Sequence, residues 1–419
     1  SEIVSAQLVT ALHEQSDGNP LFVGEIVRLL SVEGVHAEHG ADVGLAIPQS
    51  VHDVIARRLT YLPEECKRVL LLASVLGREF ALAPLARMSG VPEDELLDVL
   101  DEAMAARVVS DLPGGPGHVR FAHVLIRDTL YEALTTARRV RLHRLAVEAF
   151  ERLYGDEPGP YLAELAHHSI AGRDFDKGLS YARRAGDRAL ALVAYEEAAR
   201  LYETALEALE LKAADEATRC ELLLSLGDAQ ARGGDLASAK ETFAQAADLA
   251  RTLNAPEQLA RAALGYGGRF VWFRAGNDRR LVPLLEDALE RLPGDNPLRV
   301  RLLARLAGAL RDRPVPQRRA SLSREAVEIA RRLSDRATLA HALEGTYAAL
   351  SWPRDTETWL AMARELTELA DEAGDKEEAC SQRSASQSNA SSPSTQPSSS
   401  FAACWQTCTA SSDTTPRRE

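Results

Sequence analysis

At 419 residues, with 45% hydrophobic and 26% charged side chains, the chain is long enough for roughly two to four domains with ordinary cores. Aromatic residues make up 5%, too few for the strands of a β-sandwich or barrel, and the Leu, Ala, Arg and Glu that dominate before residue 380 favour helix. A balance of 49 Lys+Arg against 62 Asp+Glu, net −13, excludes a global pull toward nucleic acid or an anionic membrane.

Residues 1–60 hold the turn Ser16-Asp17-Gly18-Asn19-Pro20, after which Leu21, Phe22, Ile26, Leu29 and Leu30 fall on helical spacing. Gly34, Gly40, Gly44 and Pro48 break the chain before another predicted helix. Its Val51, Val54, Ile55 and Leu59 share a face, with Arg57 and Arg58 turned away. This is too little apolar surface for an independent core, so the zone reads as the end of a larger domain.

Residues 61–135 begin with Pro63 near a helix start, Glu64 and Glu65 in the favourable first turn, and an apolar run through Val69, Leu70, Leu72, Ala73 and Leu76 to Gly77. A second helix is predicted from about Ala83 to Met88, closing at Gly90. Pro92 opens a third, carrying Leu96, Leu97, Val99, Leu100 and Met104. The pieces 108–112 and 118–121 flank a Gly- and Pro-rich turn and read as a β-hairpin. Three short helices and then a hairpin is the order of a winged helix. Its third helix carries Glu93, Asp94, Glu95, Asp98, Asp101 and Glu102 before its first base, Arg107. A helix that reads DNA must approach phosphates, so direct DNA contact is not expected.

The amphipathic pattern continues through Leu125, Ile126, Leu130, Leu134, Leu142, Leu145, Ala149 and Phe150, and 136–175 reads as a helical connector. Arg138, Arg139, Arg141 and Arg144 are predicted to lie on a solvated face. Residues 176–379 are repetitive. Gly186, Ala198, Tyr202 and Ala205 recur as Gly227, Ala239, Phe243 and Ala246, each shifted by 41, and 325–331 reappears as 365–371, shifted by 40. Leu285, Ala288 and Leu289 supply a less regular copy between them. Small residues let the helices of a hairpin approach, an aromatic fills the groove, and about five stacked units make a solenoid. Residues 380–419 differ in kind: 381–400 contain ten serines and no apolar periodicity. They read as a disordered segment or as a reading-frame slip in a GC-rich gene.

Chemistry is sparse. His36 with His39, His167 with His168, and Cys404 with Cys408 lack a second ligand pair at zinc spacing, so no metal site is expected. Paired acids such as Glu196-Glu197 sit on repeat helices as solvated groups, and no nucleophile, base and orienter set emerges. No apolar run approaches the roughly 18 residues of a membrane span, no leader follows Ser1, and five cysteines make no disulfide framework. A cytoplasmic protein without membrane contact is expected.

The repeats resemble tetratricopeptide repeats, most clearly at Leu226-Gly227 through Gly234, Ala239, Phe243 and Ala246. Further upstream, Gly18-Asn19-Pro20-Leu21-Phe22-Val23, Val54-Ile55-Ala56-Arg57-Arg58-Leu59, Phe121-Ala122-His123 and Ala185-Gly186-Asp187-Arg188-Ala189 come in a fixed order. That order resembles the back half of the signal-transduction (STAND/AAA-type) ATPases fused to LuxR-type transcriptional regulators or to adenylyl/guanylyl cyclases. The resemblance covers about 1–375 and implies a mainly all-α fold. A helical lid (1–60), a winged helix with a small β-hairpin (61–135), the connector (136–175), a tetratricopeptide-type α-solenoid (176–379) and the tail (380–419) would follow one another.

It also implies an ATP/ADP-binding core upstream and an inducer, protein or small molecule, at the repeats. No G-x-x-x-x-G-K-[ST] occurs in the sequence. The chain as given is therefore expected to carry no cofactor and no enzymatic activity. Within the resemblance, Gly18 and Pro20 correspond to a lid motif whose proline packs on the nucleotide. His123 corresponds to a winged-helix histidine that reaches the β-phosphate of ADP in apoptosome-type and plant-resistance members. The alternatives are a stand-alone repeat scaffold that binds proteins, and the C-terminal part of an ATP-dependent regulator or cyclase whose catalytic domain lies upstream.

Overall fold

The computed structural model describes residues 23–24, 26–28, 51–112, 117–155, 158–212, 215–268, 275–349, 361–362, 364–366 and 368–369. The predicted Gly18-x-Pro20 turn, the hairpin tip at 113–116 and the tail from 380 lie outside them. The chain divides into two compact units, Ser1–Ala185 with Glu207–Lys212, and Gly186–Leu206 with Ala213–Glu419. No helix among the described residues is long and apolar enough to cross a membrane.

The first unit follows the predicted punctuation closely. Helices α1 (Val51–Thr60), α2 (Glu64–Leu76), α3 (Leu82–Ser89) and α4 (Glu93–Ala105) fall in the predicted places, α2 and α3 ending at the expected Gly77 and Gly90. Gly90 takes the left-handed conformation (φ 73°) that stops α3. Strands β2 (Val109–Asp111) and β3 (His118–Phe121) form the expected antiparallel hairpin. A third strand, β1 (Glu79–Ala81), went unpredicted; it pairs with β3 through Phe80 opposite Val119, giving the sheet order β1-β3-β2. Helix, strand, two helices and two strands complete the winged-helix order. Its core is formed by Leu70, Leu85, Leu96, Leu100 and Phe121, all fully buried.

Arg58 corrects one expectation. It is buried, not turned outward, and its guanidinium donates to the Ala106 carbonyl at 2.8 Å. Ala106 caps the C-terminus of α4, where carbonyls lack helical partners and a cation is favourable. Beyond the sheet come α5 (Val124–Glu132), α6 (Thr136–Tyr154), a 3₁₀ turn (Gly159–Tyr161) and α7 (Leu162–Ala171).

In the second unit the repeats are stacked helices. Helices α8 (Phe175–Ala191) and α9 (Tyr195–Lys212) each enter it in part. The remainder is α10 (Glu216–Arg232), α11 (Leu236–Thr252), α12 (Pro256–Gly267), α13 (Leu281–Arg291), α14 (Pro297–Ala309), α15 (Pro316–Leu333) and α16 (Arg336–Ala349). From α10 on, each helix packs against the next, and α10, α12, α14 and α16 also pack in a row. That is the pattern of an α-solenoid.

The 41-residue repeat explains how the helices approach. A Cβ placed on Gly186 would lie 2.8 Å from the Tyr202 ring, and one on Gly227 would lie 2.9 Å from the Phe243 ring. Phe243 also fills the space over Gly265 of α12. Ion pairs one repeat apart run along the surface: Arg261–Glu221 (2.8 Å), Lys240–Asp278 (2.8 Å), Arg251–Asp287 (2.6 Å) and Arg332–Asp295 (2.7 Å). The turns bend through left-handed residues, Gly234 (φ 90°) and Asn254 (φ 56°) among them. Position 193 stands 41 residues before Gly234 and holds a valine in the same conformation (φ 64°).

Candidate functional site

Among the described residues, one group of three side chains with closely spaced metal-ligating atoms lies on α6 and α7, beside α5. Thr135 caps α6 by accepting the Arg138 N–H (3.4 Å), and the helix runs to Gly155, which has φ 60°. The 3₁₀ turn then reverses the chain so that α7 packs back on α6. Gly172, which caps α7, permits this approach: a Cβ there would lie 2.9 Å from the His168 carbonyl and 3.1 Å from Arg144 Cγ. The hairpin brings His143 of α6 against His167 and His168 of α7.

His143 and His168 are both 1% exposed, whereas His167 opens to solvent. The Nδ1 atoms of His143 and His168 are 2.9 Å apart, and His143 Nε2 lies 2.9 Å from the Tyr131 hydroxyl at the end of α5. One ring nitrogen from each of the three histidines lies within 4.8 Å of the other two. Burial, then the neighbouring His167 and Arg127, pushes His143 down to about 4. Burial, His143, His167 and Arg127 push His168 down to about 3. His167 is lowered in the same direction by partial desolvation and Arg127. The cluster is therefore neutral near pH 7, with lone pairs available on its ring nitrogens.

Its surroundings are aromatic and cationic. The Arg127 and Arg139 guanidinium groups lie 4.4 and 4.7 Å from the centre of the Tyr131 ring. Arg127 also donates to the Ser74 carbonyl (2.8 Å) and to Asp128 (3.1 Å). Phe150 stacks on His168 with centroids 6.0 Å apart. Of the four arginines predicted to lie on a solvated face, Arg138, Arg141 and Arg144 are exposed and Arg139 is half-buried, and two of them also bind helix C-termini. Arg139 donates to the carbonyls of Tyr131 and Glu132 (3.0 Å each), and Arg144 donates to that of Gly172 (2.7 Å).

Spacing along the sequence offers His167 and His168 no second ligand pair, but the fold brings one further histidine beside them. Their third partner comes from the preceding helix, and zinc-type spacing along the sequence cannot reveal it. The short connector was the available signal, because it makes α6 and α7 antiparallel neighbours.

Of the predicted nucleotide contacts, Gly18 and Pro20 lie outside the described residues. His123 follows β3 and is the N-cap of α5, its Nδ1 accepting the Leu125 N–H at 3.2 Å. That bond fixes the neutral tautomer, leaving the proton on Nε2. All six acids predicted along α4 are exposed.

No family model matches the chain, and no curated protein matches it. Among solved structures it is similar to a Signal Transduction ATPase with Numerous Domains (STAND) protein with a tetratricopeptide repeat sensor from Pyrococcus horikoshii. The identity there is 13% and the TM-score 0.36, covering 91% of this chain and 59% of that one. It is also similar to BtubC from P. vanneervenii, at 14% identity and a TM-score of 0.22, covering 68% of this chain and 96% of that one. The chain thus spans less than two thirds of the length of the first of these.

Proposed function

We propose that this chain is the regulatory and sensing part of a signal-transduction ATPase. In this reading the repeat helices take up an inducer, protein or small molecule. The winged helix passes the resulting bias to a nucleotide-binding core that these residues do not include. The observation that carries the reading is the coexistence, in one chain, of a winged-helix element order and a regular helical solenoid. The exposed acids of α4 favour packing of the winged helix on protein over contact with phosphates.

His123 suits the role of a latch. Its capping bond orients the ring and leaves an Nε2–H donor, which a diphosphate would satisfy. Nucleotide would then stabilise one packing of the units, and inducer another.

The test is to produce the chain joined to the coding region upstream of Ser1 and to measure bound nucleotide. ADP is expected to copurify. His123→Asn keeps the N-cap while removing the imidazole, and should speed ADP release roughly tenfold or more, the worth of one hydrogen bond to a charged group. An upstream region without a P-loop, or ADP release unchanged in that variant, overturns the reading. The chain alone is expected to turn over no nucleotide.

A further inference from the structure

We propose that His143, His167 and His168 form a binding site for a divalent first-row transition ion of the zinc class. Each ring would contribute one nitrogen, and water would take the fourth position.

The geometry lies close to what such an ion requires. Zinc–nitrogen bonds of about 2.0–2.1 Å in a tetrahedron place ligand nitrogens about 3.3–3.4 Å apart. The Nδ1 atoms of His143 and His168 stand at 2.9 Å, and the three-nitrogen set spans no more than 4.8 Å. Admitting the ion means parting the first pair by a few tenths of an ångström and swinging in the third ring. That third ring is His167, the solvent-exposed one, so the movable ligand also marks the entry path.

The ligand atoms are chosen by what surrounds them. Tyr131 engages Nε2 of His143, which leaves Nδ1 to the ion. This is the arrangement in which an outer hydrogen bond orients a metal-bound imidazole. Without an ion, the two Nδ1 atoms share one proton. With the ion, each ring keeps a single proton, placed on Nε2, so one ring changes tautomer and the imidazoles release no net proton.

The chemistry of the set also selects the ion. Three imidazoles without a carboxylate suit zinc, cobalt, nickel or copper, and offer nothing to magnesium or calcium, which take oxygen ligands. The Arg127 charge that acts on these rings opposes a cation, but Asp128 offsets it at 3.1 Å.

A packed core of hydrogen-bonded histidines is the competing account, and it predicts no metal uptake. The full chain, stripped of metal by a chelator, is titrated with cobalt(II), and zinc(II) is then used to displace it. One saturable equivalent is expected, with the visible bands of tetrahedral cobalt. His167→Ala alters only the exposed ring and should leave the far-ultraviolet circular dichroism unchanged while weakening uptake by at least about a hundredfold. That loss is the upper end of what removing even an outer-shell partner does. Tyr131→Phe should weaken it on the order of tenfold. The His36→Ala/His39→Ala chain should bind as the parent does. Absence of saturable uptake, or uptake that persists in His167→Ala, overturns the proposal.

Discussion

Gly265→Ala tests the packing rule of the repeat directly. A methyl group at this position of α12 would sit 2.3 Å from Phe243 Cζ, 2.4 Å from Cε1 and 2.7 Å from Cε2. Ordinary carbon contacts begin near 3.5 Å, so the ring must retreat by about an ångström. It has nowhere to go: Phe243 of α11 is 4% exposed, and on its other side a Cβ on Gly227 of α10 would already lie 2.9 Å from its ring. Overpacking of this kind costs about 1–3 kcal/mol, and the short distance argues for the upper end. Alanine returns about 1 kcal/mol through helix propensity, leaving a net loss of roughly 2 kcal/mol. Urea unfolding followed by circular dichroism reads this as a lower midpoint. Phe243→Leu alone should also destabilise, by opening a void. Combined with Gly265→Ala it should recover much of the loss, because the shorter side chain makes room for the methyl group. A Gly265→Ala midpoint equal to the parent's, or a double variant no better than the sum of the singles, would refute the argument.

Val193 is a β-branched, solvent-exposed residue held at φ 64°, so Val193→Gly should raise stability by about 1 kcal/mol, seen as a higher Tm; a lower Tm would mean that the turn relies on the valine side chain. The buried histidines make stability depend on acidity. Their folded pKa values, about 4 for His143 and about 3 for His168, lie below the roughly 6.5 of an unfolded imidazole. The stabilisation is thus complete above about pH 6.5 and fades as pH falls toward those values, by roughly 2 kcal/mol per ring at pH 5. Arg127 and His167 reinforce the effect. The drop in Tm between pH 7.5 and 5 should shrink in His143→Gln/His168→Gln; an undiminished drop would assign the acid sensitivity to other groups.

Much of the fold could be read from punctuation. Gly77 and Gly90 end α2 and α3 where expected, and Pro92 with three acids starts α4. The 41-residue echo was legible because its glycines and aromatics meet in space, Gly186 with Tyr202 and Gly227 with Phe243. The weaker copy at 285–289 also places Leu285 and Ala288 in the core. Strand β1 escaped notice because three residues carry no alternation of their own; only pairing with β3 makes them a strand. Arg58 escaped because helical periodicity assigns a cation to solvent, while its actual partner is a carbonyl 48 residues away. The histidine cluster was the largest omission. His167 and His168 stood out in the sequence, but nothing about residue 143 identifies it as their neighbour until α6 and α7 fold back on each other.

In the row of α10, α12, α14 and α16, each helix leans on those just before and after it. Such an array has no centre on which everything depends. Disorder that starts at one end need sever only one interface at a time, so the second unit can peel in steps of one hairpin while its interior stays intact. An occupant bridging two hairpins would halt that peeling where it sits, turning occupancy into a change in how many rungs stand upright.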